Sequence, residues 1–296
     1  MKTELFRGVG TALITPLRDG KIDYTALEWL IERQIVAGVE AIVIGGTTGE
    51  ASTLLEKERC ELFREAKKMT GGRCKLIFGT GTNCTQSTVR YTQMAERIGC
   101  DGVMIVTPYY NKGTRLGVQK HYEFIANSTA LPIIVYNVPS RTGVDLSIST
   151  IEELAIIKNI VAIKEAGIAS TERMRELSLI KGLGIYAGND KDVFTVMDSG
   201  GLGVISVVSN IYPDDMHDLT SAYLRGEKDK ASAILNILMP LINSLFLDTN
   251  PAPLKYAMSL LGLCSGEMRL PMYEVEDDVK EKVRDALFAY EAQRGA

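Results

Sequence analysis

The sequence predicts an α/β protein, a (β/α)8 TIM barrel with a C-terminal helical extension, on three observations. Short apolar, β-rich runs alternate with amphipathic helical stretches along most of the chain. Eight such runs over about 225 residues exceed the five or six strands common in an open doubly wound sheet, so the alternation favours a closed parallel barrel. Beyond about residue 225 the pattern is purely helical, with no low-complexity linker before it. The reading is therefore a barrel over residues 1–224 and a helical region packed on it over residues 225–296.

The predicted strands fall at residues 9–14, 41–44, 76–78, 103–106, 133–136, 160–164, 185–187 and 203–208. Between them lie helical patterns at 24–36, 54–69, 85–98 and 151–158. Thr53-Leu54-Leu55-Glu56 and Ser149-Thr150-Ile151-Glu152 match the capping box, in which two orphan backbone donors are satisfied reciprocally. In the tail, Ile234, Leu238, Leu241 and Leu245 recur at helical spacing, with Pro240 expected to kink that helix. Asn250-Pro251-Ala252-Pro253 breaks the chain before helices at 254–261 and 275–290.

Composition narrows the function classes. The 296 residues are 46% hydrophobic and 24% charged, as in a soluble globular protein, and the formal net charge of −4 offers no basic patch for nucleic acid. The charged start, Met1 to Arg7, has no apolar core of a secretory signal, and the most apolar segment, 234–247, is polar-interrupted and shorter than the roughly 20 residues of a membrane span. A cytoplasmic protein with no membrane partner is expected. Five cysteines make no C-x-x-C pair and read as reduced, and two distant histidines cannot form a three-histidine zinc site. No metal or cofactor signature is present.

In a barrel of this kind the active site lies at the C-terminal ends of the strands. The unusual residues gather there. Lys164 ends the run Ile160-Val161-Ala162-Ile163-Lys164, and strand alternation puts it on the face of Ala162. If that face is interior, desolvation favours the neutral amine, which imine formation with a carbonyl substrate requires. The alternative is a strand-end lysine that snorkels into water. Gly45-Gly46-Thr47-Thr48-Gly49-Glu50 follows the second run; its backbone N–H groups form a concave anion site, or simply a glycine-rich turn. Thr107-Pro108-Tyr109-Tyr110-Asn111 follows the fourth, where paired tyrosines also suit a surface or interface. Tyr136, at the end of the fifth run, supplies a phenol that points inward if Ile134 does, and Arg141 after it a planar fork for a carboxylate or a solvated charge. Gly188-Asn189-Asp190 follows the seventh run, and Ile205 lies on the eighth.

These motifs, with Ile163-Lys164-Glu165-Ala166, Gly203 to Val207, Asn250 to Lys255 and Arg269-Leu270-Pro271-Met272, occur in the order and at the spacing of one family. The chain closely resembles, over essentially its whole length, the dihydrodipicolinate synthase (4-hydroxy-tetrahydrodipicolinate synthase) family, a branch of the N-acetylneuraminate lyase superfamily of Schiff-base aldolases. The resemblance implies a lyase of lysine biosynthesis by the diaminopimelate route. It condenses pyruvate, bound as an imine on Lys164, with L-aspartate 4-semialdehyde, without a cofactor. Tyr136 is then the acid/base group, with Thr48 and Tyr110 in a proton relay, the latter reaching into a neighbouring subunit. Thr47, Thr48, Gly188 and Ile205 belong to the substrate pocket, Arg141 holds the semialdehyde carboxylate, and the assembly is a homotetramer of two tight dimers. Two other readings share parts of this pattern: an N-acetylneuraminate lyase or 2-keto-3-deoxy sugar acid aldolase of the same superfamily, and a non-catalytic keto-acid-binding barrel. The Thr47-Thr48 pair and Ser140-Arg141-Thr142-Gly143 favour the synthase. The family's lysine-effector set is matched at Asn83 and Tyr109 but replaced by Glu56, Arg59 and Ser87, so feedback inhibition by L-lysine is expected to be weak.

Overall fold

The computed structural model describes residues 4–167 and 169–294, so Met1, Lys2 and Thr3 of the charged N-terminal stretch lie outside it. β1 (Gly8–Ala12) leads into a small antiparallel hairpin, β2 (Leu17–Arg18) and β3 (Lys21–Ile22). There follow β4 (Ala41–Ile44), β5 (Lys75–Gly79), β6 (Gly102–Val106), β7 (Ile133–Asn137), β8 (Ile160–Glu165), β9 (Gly184–Ala187) and β10 (Gly203–Ser206). Apart from the hairpin, neighbours in sequence pair in parallel, and β10 pairs with β1 to close the barrel. Closure brings two backbones together. A Cβ on Gly203 would lie 1.8 Å from the carbonyl oxygen of Gly8, and its φ of +145° is one that side-chain-bearing residues rarely adopt.

The two-residue period of each strand sorts the side chains into two layers. Ile134 and Tyr136 of β7, Ala162 of β8, Tyr186 of β9 and Ile205 of β10 fill the interior, while Val135 and Ile163 pack outward against the helices. Lys164 therefore shares the interior face, as the alternation predicts, and is only 4% exposed. Deeper in the barrel, Phe6 and Tyr186 stack with ring centroids 4.3 Å apart, and the Tyr186 hydroxyl donates to the Phe6 carbonyl at 2.7 Å. That plug satisfies the phenol in an otherwise dry core.

Both predicted capping boxes are displaced. The second helix begins at Glu56 after Leu55, whose N–H donates to Glu58 at 2.9 Å, and Thr53 instead donates its hydroxyl to the Glu50 carbonyl at 3.1 Å. The helix Ile148–Ala155 is capped by Ser147, which accepts from the Thr150 N–H at 3.2 Å, so Ser149 lies inside it. At the second helix no side chain caps Leu55's turn and only the Glu58 half of the box forms, whereas at the other Ser147 caps in place of Ser149.

The tail forms helices Lys228–Ser244, which continues through Pro240, Ala252–Leu260 and Asp277–Arg294. The last is tied to the helix Pro213–Leu224, where Tyr290 donates to Asp215 at 2.6 Å and Arg294 pairs with Asp215 at 2.8 Å. No helix among the described residues is long and apolar enough to cross a membrane.

Candidate active site

Lys164 sits at the end of β8 with Tyr136 and Tyr186 as its cross-strand neighbours. Its Nζ lies 4.4 Å from the centre of the Tyr136 ring. Burial pushes the amine down to about 8, the nearby Arg141 charge assists, and Asp190 opposes. Asp190 is fully buried; its Oδ2 accepts from the N–H groups of Val207 at 3.0 Å and Val208 at 3.1 Å, just beyond β10. Burial raises its own pKa, partly offset by these hydrogen bonds and by Lys164. One carboxyl thus both steadies the end of β10 and faces the amine.

The Tyr136 hydroxyl is hydrogen-bonded by the Thr47 side chain, and burial holds its pKa above the ordinary phenol value. Thr48 is also buried, and its Oγ1 accepts from the Asn250 amide at 2.9 Å. The direct neighbour of Tyr136 is therefore Thr47, and the partner of Thr48 comes from the C-terminal region. Arg141 donates to the Asn250 carbonyl at 3.3 Å, so the same residue steadies both the threonine loop and the arginine. The loop needs its glycines: Gly45 adopts φ +67°, and a Cβ on Gly79 would lie 2.3 Å from the Gly45 carbonyl oxygen.

Beneath the loop, Glu50 and Lys255 form an ion pair with side chains 1% and 0% exposed, and Lys255 also donates to the Glu267 carbonyl at 2.8 Å. Loss of one member would leave the other charge buried alone, at a cost of about 3–5 kcal/mol. This pair, with Asn250, makes the tail part of the site.

A cavity of about 330 Å³ opens at the C-terminal end of the barrel. Thr47, Tyr136 and Arg141 are on its wall together with Gly45, Gly46 and Asn250. Lys164, Thr48, Gly188 and Ile205 do not line it: Lys164 and Ile205 lie near the C-terminal ends of β8 and β10, and Thr48 and Gly188 follow β4 and β9. Gly188 is there for close approach, since a Cβ would lie 2.4 Å from that of Ala166. Tyr110 is not brought into the site of its own chain: it is 89% exposed, with φ +66°, a conformation that costs a non-glycine residue about 1–3 kcal/mol.

Comparison with known proteins gives the family. The family model of the dihydrodipicolinate synthetase family matches residues 5–290. The chain belongs to this family. Among curated dihydrodipicolinate synthetase relatives, the 4-hydroxy-tetrahydrodipicolinate synthase of Clostridium novyi (strain NT) is 42% identical over 97% of both chains. Among solved structures, the 4-hydroxy-tetrahydrodipicolinate synthase from Methylacidiphilum fumariolicum SolV superposes with a TM-score of 0.96 at 38% identity, over 98% of this chain and 97% of that one. The dihydrodipicolinate synthase from Thermotoga maritima gives 0.94 at 39% identity, over 97% and 99%.

The sequence does not single out Asn250 or Arg59 as lining the cavity, nor the Glu50–Lys255 pair. The break at Asn250-Pro251-Ala252-Pro253 is the one signal that draws attention to Asn250. Among the described residues no cluster of histidine, cysteine, aspartate and glutamate is arranged to hold a metal ion.

Proposed function

We infer that this protein is a 4-hydroxy-tetrahydrodipicolinate synthase, a lyase that condenses pyruvate with L-aspartate 4-semialdehyde in lysine biosynthesis. The observation that carries the reading is the buried Lys164 amine, lowered to about 8 and seated against Tyr136. A useful fraction of that amine is neutral near pH 7, where an ordinary lysine with a pKa of about 10.4 has almost none.

The neutral Nζ attacks C2 of pyruvate. Tyr136, still protonated because of its burial, gives a proton to the departing hydroxyl, water leaves and the iminium forms. Tyr136, left as a phenolate, takes a proton from the methyl carbon to give the enamine, which attacks the aldehyde carbon of the semialdehyde, and returns that proton to the new alkoxide. The semialdehyde's own amine then attacks the imine carbon, closing the six-membered ring and expelling the Lys164 amine. Thr47 holds the Tyr136 hydroxyl, while Thr48, having accepted from Asn250, keeps its own proton to donate. Gly188 and Ile205 border the pyruvate end, and Arg141 pairs with the semialdehyde carboxylate at the mouth. We assign catalysis to the barrel, residues 1–224, with 225–296 completing its mouth, and place the enzyme in the cytoplasm.

Purified protein with pyruvate and L-aspartate 4-semialdehyde should turn over, and with pyruvate and N-acetylmannosamine should not. Turnover only with the second pair would make it a sugar-acid lyase, and none with either, together with pyruvate binding, a keto-acid-binding barrel.

The exposure of Tyr110 supports a second subunit, and we propose a homotetramer of tight dimers in which Tyr110 completes the partner's relay. Tyr110→Phe should lower kcat by about 10²-fold or more, with pyruvate binding changed less. Hybrids of Tyr110→Phe with Lys164→Ala protomers should regain activity, because one site then holds an intact Lys164 and an intact Tyr110. Verified hybrids without recovery place Tyr110 outside the partner's site.

L-Lysine should inhibit weakly. Arg59 stands on the cavity wall with its positive charge, and Glu56, the replacement carboxylate, is held at 2.7 Å by Arg90. A lost charged hydrogen bond costs roughly 1.5–3 kcal/mol, about ten- to a hundredfold in affinity. Initial rates against L-lysine at saturating substrates test this, and half-inhibition below about 1 mM would contradict it.

A further inference from the structure

The strand that carries Lys164 changes face before it reaches the lysine. Ile133 of β7 pairs with Ile160 of β8, but the next residue, Ile134, pairs with Ala162, so Val161 is an extra residue without a partner on β7. Val161 and Ala162 both point into the barrel, while Ile160 and Ile163 on either side of them face the helices. In a strand that alternated regularly from Val161, Ala162 and Lys164 would face out and Ile163 in. The bulge therefore turns the amine inward. Beyond it the β7–β8 register rests on the pairs from Ile134 with Ala162 to Tyr136 with Lys164 and Asn137 with Glu165.

The last of these pairs is fastened by its side chains. Asn137 and Glu165 are fully buried, and the Asn137 amide donates to both Glu165 oxygens, at 2.9 and 3.1 Å. Glu165 Oε1 also accepts from the Gly167 N–H at 2.7 Å, and Oε2 from Arg173 Nε at 3.1 Å and Nη2 at 2.9 Å. Arg173, on the helix Thr171–Ser178, donates on to the Leu146 carbonyl at 2.9 Å, and the Leu146 N–H donates to the Asn137 side chain at 3.2 Å. None of these residues lines the cavity. A one-residue slip would set Asn137 against Lys164 or Ala166 and take its amide from the carboxylate. A buried ion pair adds little net stability over apolar packing, and its best-attested use is to specify one register. We propose that Glu165 is a positioning residue: with Asn137 and Arg173 it locks the β7–β8 register that turns Lys164 inward beside Tyr136. The proposal deepens the imine reading above and rests on it for its chemical purpose.

Asp190 and Arg141 are the charges that act on the Lys164 amine, and a change at Glu165 leaves both in place. Loss of a nearby carboxylate would by itself lower the pKa of an amine, so a rise reports lost desolvation and not lost charge. NMR of protein carrying isotope-labelled lysine, with Lys164 assigned by its loss in Lys164→Ala, follows this titration without substrate. Glu165→Gln should raise the midpoint above the wild-type value of about 8. Its pyruvate trapping at neutral pH should slow by about tenfold, the effect on the neutral fraction of a pKa one unit higher. A folded Glu165→Gln whose midpoint is unchanged or lower overturns the proposal, whatever its Tm. Should that variant fail to fold, Arg173→Gln alters a side chain at the edge of the cluster, 16% exposed. Its midpoint should also rise and its trapping slow by about two- to fivefold, and an unchanged midpoint there overturns the register lock. Wild-type protein that traps no pyruvate defeats the reaction reading, whereas the substrate-free titration still judges the positioning.

Discussion

Lys164→Ala should abolish covalent trapping of pyruvate by borohydride and lower turnover by about 10⁴-fold or more, the scale on which a covalent nucleophile matters. The wild type should gain the mass of one reduced pyruvate adduct per chain and the variant none. Near-native turnover in the variant would remove the imine from the mechanism. In the wild type, the trapping rate should climb with pH to about 8 and then level, because the neutral fraction of the amine does. Stability gives an independent reading of the same group. The folded pKa lies below the unfolded value of about 10.4, so the charged amine is a penalty on the fold below pH 8 that is relieved as pH rises toward 10. Lys164→Ala should therefore melt at or above the wild type at pH 7, with its advantage shrinking by pH 10. An unchanged difference would mean that Lys164 is not desolvated.

Tyr136→Phe should cost about 10²–10⁴ in kcat, the usual worth of a positioned acid or base, while KM for pyruvate moves less. The ring that lies 4.4 Å from Lys164 Nζ is retained, so packing and the amine's environment survive and only the proton is lost. Trapping of pyruvate should persist at a lower rate, because dehydration to the iminium then lacks its donor. Turnover within about threefold of wild type would assign the acid/base role elsewhere.

Both residues are legible in the amino-acid sequence. Lys164 and Tyr136 end apolar strands whose period of two names their face, and the strand-end position names the end of the barrel. Arg141 and the Gly45–Glu50 loop are legible for a related reason, since fork chemistry and glycine backbone freedom are properties of single residues and short segments. Capping is less so. Leu55, which has no capping side chain, precedes the second helix, and Ser147 rather than Ser149 caps the other, because the tertiary path of each loop sets where the helix starts.

The features legible in the amino-acid order are thus periodic or local: the barrel, its helical tail, the strand-end lysine and tyrosine, and the membership that the ordered motifs implied. Which distant groups meet is set by packing. Asn250 reaches Thr48 across 202 positions, the Glu50 carboxylate finds the Lys255 amine, and Thr47 rather than Thr48 holds the Tyr136 hydroxyl. The resemblance places Arg59 among the effector positions, but its burial is tertiary, because the second helix turns it inward against Tyr91 and the Gly79 carbonyl. Pairing and desolvation depend on what closes around a group, and in a barrel those walls come from strands and helices far apart in the chain.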